Sequence, residues 1–505
     1  MTQGPTTTRP PQAANALSEA ALGNREVIFQ AISHLGPAIG VIIVAPVIAS
    51  LVGASMPLLM LIAMLAVLLT GACVAMLAAK LPSAGGYYSY VSHGLGQRSG
   101  FVTSWAYFLY DPLIPTLLIL VTSGILQPAI QAGWGIDIPW WLITTVLLGF
   151  VYLMTVRGVR VSANLTVALG AIECAIMVIF AVWTMVHTGS ASLTLHPFAW
   201  PGAGGLHPVF LAFAFGVLLF TGFESAAPLA EETRDPRRAI PRTVLLSIVA
   251  VGLIWTFSGY ATVVGWHGDV TAMGSGDNPF FVTAGQLAGW AWIALALALL
   301  NSAIAGALAG QNAGARVLYA LGRAEVLPAA LGRIHRTHRT PALALTLIFV
   351  LNLALSLALG AWLGPIGAFS FIGLFVTLGV IVVYVMGNLS VIRLYWTRYR
   401  GEFSWVRHCL VPVLASAILL VGLYYSVTPW PAWPLNLAVI IVAAWLALGV
   451  LFAVLLGRSK RAALERAAQL MFTADEDPGP VTAGQATTGA TAHGALPADA
   501  TGVTE

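Results

Sequence analysis

Apolar runs of twenty or more residues recur from one end of this chain to the other, and no other feature constrains its fold as strongly. Pro57 to Ala79 alone is 23 residues without a charged side chain. A helix rises about 1.5 Å per residue, so roughly 20 apolar residues cross a hydrocarbon core about 30 Å thick. Each run thus has the length of a membrane span. Of the 505 residues, 58% are hydrophobic and only 8% are Asp, Glu, Lys or Arg. Soluble globular chains carry roughly 25% charged residues, so a soluble fold built from this chain would lack a charged surface.

The pattern predicts an all-α integral membrane protein with spans near 28–53, 57–80, 99–129, 139–156, 162–187, 207–231, 243–266, 286–318, 342–362, 366–394, 409–428 and 432–457. The basic residues test this count of twelve. Arg9 and Arg25, Lys80 and Arg98, Arg157 and Arg160, Arg234 to Arg242, Arg316 to Arg339, Arg393 to Arg407 and Arg458 to Arg466 all fall on one side of such a bundle. The loops of the other side carry only Asp137, Asp269 and Asp277. Basic residues concentrate on the cytoplasmic side, so both termini are expected there, in a plasma (inner) membrane. A wrong count would scatter the basic residues over both faces.

The formal charge of +4 does not indicate nucleic acid as a partner, because these basic residues sit in short inter-span loops. Cys73, Cys174 and Cys409 are widely separated and read as small apolar residues, neither a disulfide frame nor a metal site. Residues 1–24 are polar, contain Pro5, Pro10 and Pro11 and lack the apolar core of a signal peptide. Residues 458–505 become rich in Ala, Gly, Thr, Asp and Pro from Thr473. Both are expected to be disordered cytoplasmic tails flanking a 25–457 membrane domain.

Two spans carry breaks. The first contains Gly36-Pro37-Ala38-Ile39-Gly40, where Pro37 removes a donor and clashes with the preceding turn. The sixth contains Phe220-Thr221-Gly222-Phe223-Glu224 at its middle. Broken backbone is tolerated at membrane depth only inside protein or beside a cavity. Either break alone is equally readable as a harmless kink. Their separation by five spans adds meaning: an odd repeat inserts its second copy upside down, with a binding site between the halves. The expected repeats are 28–187 and 207–394, with two additional helices over 409–457. An exposed N–H end attracts a carboxylate and an exposed C=O end accepts bonds from an ammonium group, and a zwitterionic amino acid needs both.

Three stretches resemble the amino acid–polyamine–organocation transporter superfamily. They are Leu81-Pro82-Ser83-Ala84-Gly85-Gly86-Tyr87-Tyr88-Ser89-Tyr90 with Gly100-Phe101 and Ser104-Trp105; Phe220 to Glu224 with Glu231-Glu232 and Pro236 to Arg242; and Asn312-Ala313, Arg316, Leu318-Tyr319-Ala320, Arg323, Leu327-Pro328 and Thr340-Pro341. The likeness spans nearly all twelve helices. It implies a five-plus-five inverted repeat, secondary active transport of amino acids with proton or sodium as coupling ion, and a substrate held between the broken helices. At the first break the family often reads Gly-Ser-Gly, and this chain departs from that.

Ionisable groups at bilayer depth are costly and each is a candidate for function. Glu224 either receives a substrate ammonium group or caps broken backbone. Glu173, in the fifth span, lies where some proton-coupled relatives carry a basic residue; it either couples proton movement to transport or bonds neighbouring backbone. Asp111 either faces the site and favours amines or partners backbone at a kink beside Pro112 and Pro115. His34 precedes the first break and is either a titrating group or a structural one. Glu231, Glu232 and Arg238 are either a cytoplasmic gate or a solvated loop. Trp134, Trp140, Trp141, Trp200, Trp430 and Trp433 read as interfacial anchors among membrane lipids.

No phosphate-binding loop of the Walker type is present, and no cofactor is expected. The leading expectation is a non-enzymatic amino acid permease. A transporter of polyamines or simple amines (putrescine, ethanolamine) is the alternative within the same fold. A membrane-embedded enzyme or a channel is more remote, since the loops are short and the breaks paired.

Overall fold

A computed structural model of the chain describes residues 23–82, 86–158, 163–201, 205–269, 278–323, 327–335, 337–338 and 340–459. The expected tails fall almost wholly outside these residues, as do Ser83 to Gly85, Arg160, Asp277, Arg336 and Arg339, and the side chains of Glu231, Glu232 and Arg323.

Among the described residues the regular elements are helices. Helix α1 (Asn24–Leu35) ends at the first break, beyond which a short turn (Pro37–Ile39), a π-turn (Gly40–Val44) and α2 (Ala45–Val52) continue. There follow α3 (Met56–Lys80), α4 (Gly86–Leu95), α5 (Gln97–Tyr107), α6 (Ile114–Trp134), α7 (Trp140–Val156), α8 (Ala163–Thr188) and α9 (Leu206–Leu219). A 3-10 segment (Phe223–Glu232) then leads to α10 (Pro236–Gly265), α11 (Pro279–Leu287), α12 (Ala291–Arg323), α13 (Ala342–Thr397), α14 (Val411–Val427) and α15 (Leu435–Ser459).

Nine stretches of described residues are long and apolar enough to cross a membrane, and Trp140–Val156 is a shorter apolar helix. Two of the nine are far longer than one crossing needs. Asn24–Lys80 has 57 residues and Ala342–Thr397 has 56. At about 1.5 Å per residue each would extend over 80 Å if straight. Neither is straight. The first is interrupted at Gly36 and again at Gly53, where φ is 62°. The second kinks at Gly364, whose φ of 71° and ψ of 162° are non-helical, directly before Pro365.

Helices α3 and α10 make the most extensive pair among the described residues. Small residues allow the close approach: a Cβ at Gly252 would sit 2.6 Å from Met64, and one at Gly71 would sit 2.5 Å from Ile248. Close packing of this kind drives association where lipid is as apolar as the helix surface. Outer helices are apolar on both sides. On α8, Gly170, Glu173, Met177, Phe180 and Thr184 form a buried stripe at helical spacing, while Leu169, Ile172, Ile179, Val182 and Val186 are exposed. Glu173 thus points inward, and the outward face suits lipid.

Some elements differ from expectation. Residues 81–98, read as an inter-span loop, contain α4, which buries Tyr87, Tyr88 and Tyr90. The glycines at its ends, Gly86 and Gly96, both have positive φ and mark its boundaries. The third expected span breaks after Tyr107 and restarts through a 3-10 turn, Asp111–Leu113, because Pro112 and Pro115 cannot continue a helix begun before them. The described end of the 266–278 connection is capped by Asn278, whose side chain accepts the N–H of Phe280 at 3.1 Å and so starts α11. All three cysteines are free: Cys73 is buried, and Cys174 and Cys409 are half-buried.

Candidate functional site

Gly36 adopts φ 67° and ψ 76°, a left-handed conformation that ends α1. The next turn has few N–H groups to offer. Pro37 has none, Gly40 gives its N–H to the Gly36 carbonyl at 3.2 Å, and Ala38 gives its N–H to Glu173 Oε1 at 2.9 Å. Glu173 comes from α8 and is 1% exposed. Its Oε1 also accepts the Ser302 hydroxyl, and its Oε2 accepts the Asn301 amide at 2.5 Å, both from α12. The carbonyl of Pro37 is met by Trp255 of α10, whose indole N–H donates to it at 2.9 Å. That ring leaves no room for a side chain at Gly40, where a Cβ would lie 2.3 Å from it.

The second break has the same construction. Helix α9 stops at Leu219, and Gly222 takes φ 112°. The Gly222 N–H donates to Glu224 Oε2 at 3.0 Å. The same carboxylate accepts the Tyr384 hydroxyl of α13 at 2.9 Å and, on Oε1, the Tyr110 hydroxyl at 3.0 Å. Each break therefore has a buried carboxylate on an N–H, and each carboxylate takes three donors. Satisfied this way, a buried carboxylate avoids most of the penalty of leaving water.

The breaks touch one another. A Cβ at Gly222 would lie 2.1 Å from Cδ2 of His34, in the last turn of α1. Phe220, wholly buried, meets Trp255 edge to face at 4.7 Å. Beside them, Asp111 is 5% exposed and accepts the Tyr107 hydroxyl on Oδ2. The rings of Tyr107 and Tyr110 meet edge to face at 4.7 Å. Asp111 is near enough for its charge to act on both His34 and Glu224. His34 Nδ1 and the hydroxyls of Thr221, Ser225 and Tyr87 are buried without a hydrogen-bond partner among the described residues.

The expected residues Gly36, Pro37, Ala38, Ile39, Gly40, Phe220, Thr221, Gly222, Phe223, Glu224, Glu173, Asp111 and His34 thus gather around the two breaks. Arg238 does not join them. It is exposed and lies 3.8 Å from Asp235, three residues away; the side chains of Glu231 and Glu232 are outside the described residues. Sequence reasoning missed Tyr107, Tyr110, Trp255, Asn301, Ser302 and Tyr384. Asn301-Ser302 carried a usable signal, because adjacent polar side chains inside an apolar span need partners there. Attention confined to ionisable groups passed over it.

A multi-helix membrane protein in which two helices break against each other around buried carboxylates has the make-up of a transporter. The chain belongs to the amino acid permease family, whose model (Amino acid permease) matches residues 26–464. It is 27% identical over 347 residues to the low-affinity putrescine importer PlaP of Escherichia coli (strain K12), covering 66% of this chain and 72% of that one. It is 24% identical over 390 residues to the L-asparagine permease of Salmonella typhimurium, covering 72% and 76% of the two chains. With the branched-chain amino acid permease BcaP of Bacillus subtilis (strain 168) it shares 25% identity over 313 residues, 56% and 63% of the two.

Proposed function

We propose that this chain is a secondary active transporter that moves amino acids or related amines across the plasma membrane by alternating access, coupled to a proton gradient. The observation that carries this reading is the matched construction of the breaks. In the numbering of the expected spans, the break in span 1 is tied to span 5 through Glu173 and to span 8 through Asn301 and Ser302. The break in span 6 is tied to span 10 through Tyr384 and to span 3 through Tyr110. Five spans separate each element from its counterpart. That supports inverted repeats over 28–187 and 207–394, followed by two helices over 409–457. Two crossings in each of the two longest stretches, with Trp140–Val156 as a shorter one, bring the nine stretches to twelve crossings. Both tails are read as cytoplasmic.

Glu173 is the proposed coupling residue. As an anion it accepts three donors. A proton on either oxygen turns an acceptor into a donor, so the Asn301 amide or the Ser302 hydroxyl must turn away or let go. Loading Glu173 would thus loosen α8, together with the broken turn that Glu173 holds, from α12, and unloading it would tighten that contact. A charge-dependent tie between two rigid elements is the kind of two-state contact that alternating access requires. The substrate is proposed to lie between Gly36–Gly40 and Phe220–Glu224. Relatives named for putrescine and for L-asparagine support both amines and amino acids as cargo.

The test is uptake by purified protein in liposomes, using amino acids, putrescine and ethanolamine with and without an inward proton gradient. Saturable, gradient-stimulated uptake is expected. Uptake that ignores the gradient would remove the coupling claim, and unsaturable flux would indicate a channel.

A further inference from the structure

Resting on that transporter reading, we propose that the site selects amines without a carboxylate: Glu173 fills the position a substrate carboxylate would take, and Asp111 is left open to receive an ammonium group. A zwitterion needs an anion-binding and a cation-binding end. At the first break Pro37 has no N–H, Ala38 gives its N–H to Glu173 and Gly40 gives its N–H to Gly36, which leaves the N–H of Ile39 as the one group of this turn not held by those bonds. At the second break the Gly222 N–H binds Glu224. Both backbone ends that would favour a bound anion already hold one from the chain itself. A substrate carboxylate brought there would face a like charge where little water screens it.

The cation end is built in the opposite way. Glu173 and Glu224 each accept three donors, whereas Asp111 accepts one, the Tyr107 hydroxyl on Oδ2. Its Oδ1 receives no bond from the described residues, although the side chain is 5% exposed. A carboxylate oxygen with no protein donor, and not among the fully buried unpartnered atoms, is left to water or to a bound cation. Tyr107 and Tyr110 place aromatic rings beside it, which suit an ammonium group. His34 Nδ1 and the Tyr87 hydroxyl, both buried and without a partner among the described residues, leave polar atoms near the breaks for a ligand's N–H groups. Tyr87 is 6% exposed and stacks on Tyr384, the residue that holds Glu224.

The test uses pairs of ligands that differ only in a carboxylate: putrescine against ornithine, and cadaverine against lysine. Binding to the purified full chain and uptake into liposomes are measured for each. The amine of each pair is expected to bind at least tenfold more tightly. Asp111→Asn is expected to weaken amine binding at least tenfold, and Asp111→Glu, which keeps the charge, to weaken it less. Glu173→Gln, which removes the like charge, is expected to narrow the preference for amine over amino acid at least threefold. Equal or tighter binding of the amino acids overturns the proposal, as does unchanged amine binding in a folded Asp111→Asn protein. Uptake of amino acids alone would leave the transporter standing and sink only the preference. Binding of neither member of any pair overturns this inference, and the transporter reading is then decided separately by uptake of the wider amino acid panel.

Discussion

The imidazole of His34 lies so close to Gly222 that a Cβ on the glycine would sit 2.1 Å from its Cδ2. This contact joins the two broken helices, and the φ of 112° at Gly222 already disfavours any side chain. Gly222→Val is therefore expected to abolish substrate binding and uptake while the protein still inserts. Normal affinity in that variant would place the substrate elsewhere.

Glu173→Gln keeps an acceptor for Ala38 and Ser302 but cannot lose or gain a proton. Uptake is expected to lose its stimulation by an inward proton gradient, and its pH profile to flatten. Measurement of initial rates from pH 5 to 8 decides this. An unchanged profile would remove Glu173 from coupling and leave it a structural tie.

Tyr384→Phe and Tyr110→Phe each remove one of the three donors from Glu224. Leaving a buried charged acceptor short of a partner costs about 1–3 kcal/mol. Each variant is expected to unfold at lower denaturant by that amount. The double variant is expected to lose more than the sum, since the remaining Gly222 N–H then holds the carboxylate alone.

Trp105 and Trp445 exchange bonds: each indole N–H donates to the other's backbone carbonyl, at 2.8 and 2.9 Å, and the rings stack at 4.5 Å. These bonds reach neither break. Trp105→Phe is expected to lower stability by about 1 kcal/mol or somewhat more, with the half-saturating substrate concentration unchanged. A shift in that concentration would show that α15 communicates with the site.

The one-sided distribution of Lys and Arg predicts which face each loop occupies. A single cysteine at Arg237, in a chain with Cys73, Cys174 and Cys409 replaced, should react only with reagents supplied from the cytoplasmic side. Labelling from outside alone would invert the topology.

The long apolar helices and both breaks could be read in advance because their signals are local. Twenty apolar residues announce a crossing without reference to the rest of the chain, and Gly36-Pro37 or Gly222 marks a break by its own backbone limits. The ties could not be read that way. Ala38 and Glu173 are 135 residues apart, and Tyr384 and Glu224 are 160 apart. Nothing local distinguishes Tyr384 from any other tyrosine in an apolar helix. Helix α4 was hidden for a different reason: its flanking glycines resemble a loop, and only the burial of Tyr87 and Tyr90 against the bundle makes it worth forming. For Glu173 the two readings, structural tie and coupling group, describe one geometry, since a group that couples must first be held.

The distance along the chain between the partners of the first break has a consequence for biosynthesis. Ala38 leaves the ribosome 264 residues before Ser302, which completes the tie through Glu173. At about 5–20 residues per second that interval is roughly 13–53 s. Throughout it the first helix sits in the membrane with its opened turn only partly satisfied, and Glu173, once made, lacks its donors from α12. The nascent protein must therefore be sheltered, by the insertion machinery or by water drawn into the half-built bundle, until α12 arrives. Chains truncated between Thr188 and Asn301 should be marked substrates for membrane proteolysis.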